Sequence, residues 1–182
     1  MNLDKGISMK KYVTLILALI VFAIIHEGLH AVIAYAYGEY AGFHVKPFGL
    51  EVIYTTPVEE RSGLRWGFIS GVSNIATVLM GYLLFAFIDR YQKHPNDYIR
   101  SFSYWLMIYL LILDPLNISV GPLIYGGDAN GIAVGFAVNR WLVQGIFFIF
   151  FILNRELAAQ KILPAYGVST RHPLLIPWFA KR

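Results

Sequence analysis

The chain has 182 residues, of which 57% are hydrophobic and only 14% are charged, and its formal net charge is +4. Soluble domains carry about 25% charged residues, so this composition excludes an ordinary soluble enzyme and predicts a multi-pass integral membrane protein, expected in the cell membrane. The basic excess is assigned to tails that face the lipid bilayer, and no nucleic-acid partner is expected. Because there is no cysteine, disulfides and thiolate metal sites are excluded, and any metal must use nitrogen and oxygen ligands.

The first predicted element is a membrane span over residues 12–37, which Gly38 can end. Within that stretch the only charged residue is Glu27. Residues 42–54 alternate loosely between polar and apolar types, which predicts two short strands or a hairpin at one membrane face. A second uncharged span follows over residues 66–88.

Two further spans are predicted in residues 101–154, which hold only three charges. Prolines and glycines between residues 115 and 127 predict a broken segment, and backbone that leaves a helix at membrane depth must be buried in protein or line a wet cavity. The third span is therefore predicted at residues 102–116, and the fourth from about Asp128 to about Leu153.

The predicted fold class is an all-α polytopic membrane protein with about four transmembrane helices, a short β-hairpin or strand region after the first and a broken segment before the fourth. A membrane-embedded core is assigned to residues 1–154, and a basic C-terminal tail, suited to a membrane surface, to residues 155–182. Glycines spaced by four residues are expected to let the fourth span pack closely on a neighbour, and aromatic residues are expected to anchor the membrane interface. The glycines are Gly127, Gly131 and Gly135, and the aromatic residues are Tyr12, Trp66, Tyr104 and Trp105.

The most informative motif is His-Glu-Gly-Leu-His at residues 26–30, inside the first span. The HExxH spacing puts two imidazoles one turn apart on one helix face with a carboxylate beside them, an arrangement that binds zinc and activates water in soluble enzymes. Ionisable residues at membrane depth are costly and indicate function. His26 and His30 are therefore predicted to bind one Zn²⁺ ion. Glu27 is predicted to act as general base to water and later as proton donor to a leaving amine.

Other polar residues are predicted at the depth of the histidines, because successive spans run in opposite directions. A catalytic zinc takes three protein ligands. Asp128 is favoured as the third because its small neighbours let the backbone approach, although it could instead cap a helix. Asp114 is the alternative, as a ligand or as a group that orients a histidine. Asn74 could donate to a developing oxyanion or hold a substrate strand, although a lone asparagine commonly joins helices.

With these motifs, the chain resembles the site-2 protease family of intramembrane zinc metalloproteases. The resemblance rests on the HExxH motif, on residues 70–74 (Ser-Gly-Val-Ser-Asn), and on Asn117, Pro122 and residues 127–129 (Gly-Asp-Ala), where the family has Asn, Pro and then Asp-Gly. Because Gly-Asp-Ala replaces the usual Leu-Asp-Gly, the chain looks like a compact, divergent branch. The resemblance implies that the strand region pairs with an unwound substrate segment and that the metal is reached from the cytosol.

The distribution of lysine and arginine suggests the opposite orientation. Eleven of these residues lie on the side of the predicted termini and three on the other side, with Arg140 unassigned. The positive-inside rule would then place the termini in the cytosol. The two arguments disagree, so the orientation stays open.

The predicted function is a one-zinc endopeptidase that cleaves a membrane-protein substrate in or near a transmembrane segment. His26, His30 and Asp128 would hold the metal, and Glu27 and Asn74 would be catalytic. One alternative is a non-proteolytic metal-binding membrane protein, a regulator or chaperone, which would not need Glu27. The other is a metal-ion transporter, in which polar residues are expected along a whole path or in internal repeats.

Overall fold

The computed structural model describes residues 3–46, 49–124 and 127–179, with side chains from residue 9 onward. Four helical stretches are long and apolar enough to cross a membrane. They cover Met9–Ala36, Leu64–Ala86, Asp97–Leu123 and Arg140–Ala165. The protein is therefore an all-α polytopic membrane protein, which confirms the predicted fold class.

The elements follow one another as four long helices interrupted by a hairpin and short helices. In chain order they are α1 Leu3–Ala36, β1 Tyr40–Lys46, β2 Gly49–Tyr54, α2 Leu64–Ala86, α3 Ile88–Gln92, α4 Asp97–Val120, α5 Gly127–Gly135, α6 Arg140–Leu157 and α7 Leu163–Ala165. The span directions alternate, so the start of the first span and the end of the fourth lie on one membrane side. We call this the terminal side, and the opposite one, which carries β1 and β2, the hairpin side.

The first span ends as the sequence predicts, and a hairpin follows it. Gly38 has a φ of 72°, and the Glu39 N–H donates to Ala34 O at 2.8 Å, the bond that closes a helix at a left-handed glycine. β1 and β2 pair antiparallel, with Tyr40 opposite Tyr54. The predicted strand region is thus confirmed as a two-stranded sheet next to the start of α2.

The third span is longer than predicted because α4 passes through Pro115 and ends at Val120. A proline inside a helix has no N–H for the carbonyl four residues earlier, here that of Leu111. The Asn154 side chain supplies the missing donor, at 2.7 Å from Leu111 O. The interruption predicted to start at Pro115 therefore begins only after Val120, since a residue on α6 satisfies the freed carbonyl.

The fourth span was predicted to begin at Asp128, and this is wrong. Asp128 lies in α5, a short helix that is separate from α6. The two are parted at Ala137, which has a φ of 53°, and the Asn139 side chain caps α6 by accepting from Trp141 N at 2.7 Å. The fourth span then runs from Arg140 to Ala165. Its helix thus continues past the boundary placed between residues 154 and 155.

The short helix α5 packs against α2 at a distance that only glycine permits. A Cβ at Gly135 would lie 2.0 Å from the backbone nitrogen of Gly67, and one at Gly131 would lie 1.9 Å from Ser70 Oγ. The predicted role of these glycines in close packing is confirmed, although they act on α5 and not on the fourth span. This contact holds α5 beside the half of α2 that faces the hairpin side.

Trp66 was expected at the membrane interface, but it belongs to the interior. Its side chain is only 2% exposed, in a cluster with Ala34 and Ile69. Tyr54 at the end of β2 covers it edge-on, with ring centroids 5.3 Å apart. The tryptophan therefore joins the hairpin to α1 and α2 and closes one wall of the region described next.

Candidate metal centre

Three predicted residues converge at the depth of the HExxH motif. His26 Nε2 and His30 Nε2 lie 3.2 Å apart, and Asp128 Oδ2 lies 3.6 Å from the first nitrogen and 3.3 Å from the second. The two histidines are buried and the aspartate is half-buried. Two helices that are far apart in sequence, α1 and α5, thus present three ligand-type atoms to one point.

The size of this triangle fits a tetrahedral metal ion. Zinc bonds of about 2.05 Å to nitrogen and oxygen, arranged tetrahedrally, place neighbouring ligand atoms about 3.3 Å apart. The three observed separations are 3.2, 3.3 and 3.6 Å. The residues present therefore fit a three-ligand centre with nitrogen and oxygen donors and one position left for a further ligand.

The His30 ring is oriented from behind by α2. Its Nδ1 lies 2.7 Å from the carbonyl oxygen of Ile69, so the proton of a neutral ring belongs on Nδ1 and the lone pair on Nε2. This is the arrangement in which a metal-binding histidine is usually fixed. The Ser73 hydroxyl lies 2.8 Å from the same Nε2, next to the triangle.

Asp114 lies on the other side of His26 and outside the triangle. Its Oδ1 is 3.1 Å from His26 Nδ1, while its Oδ2 accepts a short hydrogen bond from the Thr77 hydroxyl. The side chain is only 2% exposed. Of the two alternatives left open by the sequence, the geometry groups Asp128 with the histidines and puts Asp114 in the position that orients a histidine ring.

Asn74 holds Asp128 and does not face the open space. Its Nδ2 donates to Asp128 Oδ2 at 3.0 Å and to the Ser70 carbonyl at 2.8 Å, and the side chain is fully buried. Its Oδ1 has no hydrogen-bond partner among the described residues. Both amide protons are thus already used, which suits a positioning role better than donation to a reacting group.

Glu27 points toward the hairpin. Its Oε2 accepts a hydrogen bond from the backbone N–H of Val52 in β2 at 3.1 Å. That N–H therefore joins the carboxylate on α1 to the hairpin. Glu27 lines the same cleft as the three ligand-type residues. It does not belong to the group of candidate metal ligands.

The cleft in front of the triangle has a volume of about 850 Å³ and lies between β2, α1, α2 and α5. The chain of β2 from Glu51 to Tyr54 forms one wall of it. Arg61 also lines the cleft, and its guanidinium stacks over the rings of Tyr54 and Trp66, 4.6 and 4.7 Å from their centroids. Burial raises the pKa of the Tyr54 phenol above its usual range, so this group stays neutral and can donate a hydrogen bond.

Several residues of this region gave no sequence signal of their own. The Ile69 carbonyl and the Val52 N–H belong to the backbone, and side-chain patterns do not report on backbone groups. Thr77 is a common small polar residue of membrane helices, where hydroxyls often bond to their own helix. Ser73 has a signal only as part of the segment 70–74 that carries the resemblance. Asn117 also lines the cleft, and the only signal for it was its place in the resemblance.

The fold and the cluster together define a four-span membrane protein in which two buried histidines and a half-buried aspartate face one cleft. Comparisons of the chain with protein-family models, with curated proteins and with solved structures find no match. The argument for function therefore depends on the geometry of the site itself.

Proposed function

We propose that this protein is an intramembrane zinc metalloprotease of the cell membrane, which hydrolyses peptide bonds in or near transmembrane segments of other proteins. The observation that carries the proposal is the triangle of His26, His30 and Asp128, whose edges of 3.2 to 3.6 Å match a tetrahedral zinc centre. Ionisable side chains are costly within membrane spans, and one bound cation would offset that cost for His26 and His30, with Asp128 of α5 supplying the negative charge.

The donor set favours zinc among the divalent ions. Two imidazoles and one carboxylate with a vacant fourth position are typical of catalytic zinc centres. Zinc held there would act as a Lewis acid that polarises the scissile carbonyl and makes water easier to deprotonate. Asn74 and Asp114 would keep Asp128 and His26 in place, because each is hydrogen-bonded or paired to a ligand from behind.

Glu27 would move the proton during hydrolysis. It lies next to His26 in sequence and lines the same cleft. Its carboxylate would accept a proton from the attacking water and then give that proton to the nitrogen of the departing amine. The bond between the carbonyl carbon and the amide nitrogen breaks, one oxygen–carbon bond forms, and the carboxylate is regenerated.

β2 would bind the substrate in an extended form. A transmembrane helix hides its peptide bonds, so it has to unwind before it can be cut. A strand edge offers free backbone donors and acceptors to such a segment. Residues Glu51 to Tyr54 of β2 line the same cleft as the triangle, so a strand added there would lie near the metal and Glu27.

The proposal is tested with the full chain and its Glu27→Gln variant, each produced together with a panel of single-span proteins tagged at both ends. We expect the wild type to cleave a member of the panel and Glu27→Gln to leave it intact, with one zinc per chain in both purified proteins by elemental analysis. Asp128→Asn should lose both zinc and cleavage, because a neutral amide is a poor zinc ligand.

The matched control is Glu59→Gln, which removes an exposed carboxylate near the hairpin that does not line the cleft. It should cleave as the wild type does. Cleavage by Glu27→Gln at the wild-type rate would remove Glu27 from the mechanism, and purified wild type that takes up no zinc would remove the metal centre.

A further inference from the structure

A second cavity lies at the terminal side of the molecule, far from the metal centre. It has a volume of about 600 Å³ and is bounded by the starts of the first and third spans and by the chain that leaves the fourth. We call it the basic pocket and define it by Lys10, Lys11, Arg100, Tyr104, Trp105 and Tyr166. Lys10 and His26 are separated by about 24 Å along α1, at about 1.5 Å per residue. The two sites are therefore independent.

The basic pocket carries a net positive charge. Lys10, Lys11 and Arg100 line it, and Asp97 is the one acid among its described lining residues. Asp97 is already paired with Arg100, so the two lysines remain uncompensated within the described lining. The metal cleft has the opposite balance, since Glu27, Glu51 and Asp128 line it with Arg61 alone as the described cation. An anionic group is thus attracted to the basic pocket.

The inner wall of the basic pocket is aromatic. The Tyr104 ring lies edge-on to Trp105 at 4.8 Å and tilted against Tyr166 at 5.2 Å between centroids. The Tyr166 hydroxyl lies 3.0 Å from Ser103 Oγ, which fixes its position. Aromatic rings with one polar end are typical of the level where lipid headgroups meet the acyl chains. A ligand with a charged head and an apolar body matches this combination of cations and rings.

The depth of the basic pocket is that of the membrane interface. Within the described residues, the candidate spans begin at Met9 and Asp97 and end at Ala165. The cations Lys10, Lys11 and Arg100 lie within three residues of these limits, and the rings of Tyr104 and Trp105 lie seven and eight residues into the third span. Phosphate groups of lipids occupy this level, and basic pockets between helix ends bind anionic headgroups there. We propose that the basic pocket is a binding site for the phosphate-bearing headgroup of an anionic lipid, with Lys10 and Lys11 as its principal cations.

The binding of such a lipid joins three spans. α1 and α4 are already linked at this end by a 2.7 Å hydrogen bond between Thr14 Oγ1 and Ser101 Oγ, and Tyr166 follows the end of the fourth span. One headgroup in the basic pocket therefore contacts all three, and a ligand that binds only the folded state raises thermal stability. This gives a second measurement that does not depend on proteolysis or on zinc.

The experiment is native mass spectrometry of the full chain released from detergent with added dioleoylphosphatidylglycerol. We expect one retained lipid per chain, weak retention of dioleoylphosphatidylcholine, and a rise in melting temperature with the anionic lipid. Lys10→Gln/Lys11→Gln should weaken retention about tenfold or more and abolish the thermal shift. Both lysines are exposed, so the variant should fold, and the melting curve without lipid confirms it.

The matched control is Arg90→Gln/Lys93→Gln, which removes the same charge from exposed residues of the same membrane side that do not line the pocket. Its retention of lipid should equal that of the wild type. An equal loss in the control would show general attraction to the basic face and would overturn the proposal. Equal retention of the phosphatidylcholine, or displacement of the lipid by millimolar inorganic phosphate, would overturn it as well.

Discussion

Each of the three ligand-type residues is supported from behind by a group on α2 or α4. His30 bonds to the carbonyl of Ile69, His26 lies against Asp114, and Asp128 accepts from Asn74. Such outer partners fix the ring orientation and the basicity of a ligand. Such support would hold the ligand atoms in place for a metal ion, which lowers the entropy that binding must overcome.

Asp114 provides the sharpest test of this support at the scale of a single residue. Asp114→Asn keeps the shape of the side chain but removes the charge that faces His26 Nδ1. We expect zinc affinity to fall about 10- to 100-fold, as for other outer partners of metal ligands, with one zinc per chain still bound at high metal concentration. Competition with a colorimetric chelator measures it.

The control for this prediction is Asp97→Asn, an exposed aspartate of the same helix. It should leave zinc affinity unchanged. A complete loss of zinc in Asp114→Asn, equal to that in Asp128→Asn, would mean that Asp114 is itself a ligand.

The helix α4 depends on α6 for its continuity. Asn154 is fully buried, donates to the Leu111 carbonyl at 2.7 Å, and accepts a short hydrogen bond from the Tyr82 hydroxyl. One side chain thus connects α2, α4 and α6 at the site where Pro115 removes a backbone donor. A carbonyl that lacks a partner within the membrane cannot form a hydrogen bond to water instead.

Asn154→Leu is therefore expected to reduce the free energy of unfolding by about 1–3 kcal/mol, the cost of a buried group without its partner. In a Pro115→Ala background, the new N–H of residue 115 can serve Leu111, so the same substitution should cost about 1 kcal/mol less. The lost bond from Tyr82 is common to both backgrounds and cancels. Denaturant unfolding in detergent measures the four proteins of this cycle, and equal costs in both backgrounds would contradict the role of Asn154.

At the scale of the whole molecule, Glu39 joins the end of α1, the hairpin and the start of α2. It accepts hydrogen bonds from Thr55 Oγ1 at 2.8 Å and Thr56 N at 3.2 Å, and it pairs with Arg65 at 3.0 Å. The bonds from Thr56 and Thr55, together with the Arg65 charge, hold the pKa of Glu39 below its ordinary value of 4.5.

This lowered pKa predicts how stability depends on pH. A carboxyl group with a lowered folded-state pKa stabilises the fold above its unfolded value and loses that contribution as the pH falls through the folded value. The melting temperature of the wild type should therefore exceed that of Glu39→Gln at pH 7, and the difference should shrink below about pH 4.5. Other carboxyl groups titrate in both proteins, so the difference isolates Glu39. A difference that stays constant down to pH 3 would contradict the prediction.

Hydropathy and residue spacing predicted most of the secondary-structure elements. The features that they did not predict depend on contacts between residues distant in sequence. The number of spans and the end of α1 at Gly38 follow from hydropathy and spacing alone. The shared depth of His26 and Asp128 was also predicted, but from a fourth span that was wrongly started at Asp128. The path of α4 through Pro115 did not, since the compensating donor, Asn154, lies 39 residues away. The separation of α5 from α6 depends on a positive φ at Ala137, which alanine rarely adopts. Trp66 is buried because Tyr54 covers it, a contact that no periodicity records.

The hydrogen bond between Glu27 and Val52 has a consequence for how the cleft would respond to an occupant. One amide proton cannot serve two acceptors at full strength. A substrate carbonyl that bonds to the Val52 N–H would compete with the Glu27 carboxylate for that proton. Glu27 Oε2 would then have a free lone pair near the histidines. Under the proposed mechanism, occupancy of the cleft and proton transfer by Glu27 would be linked through the backbone N–H of Val52.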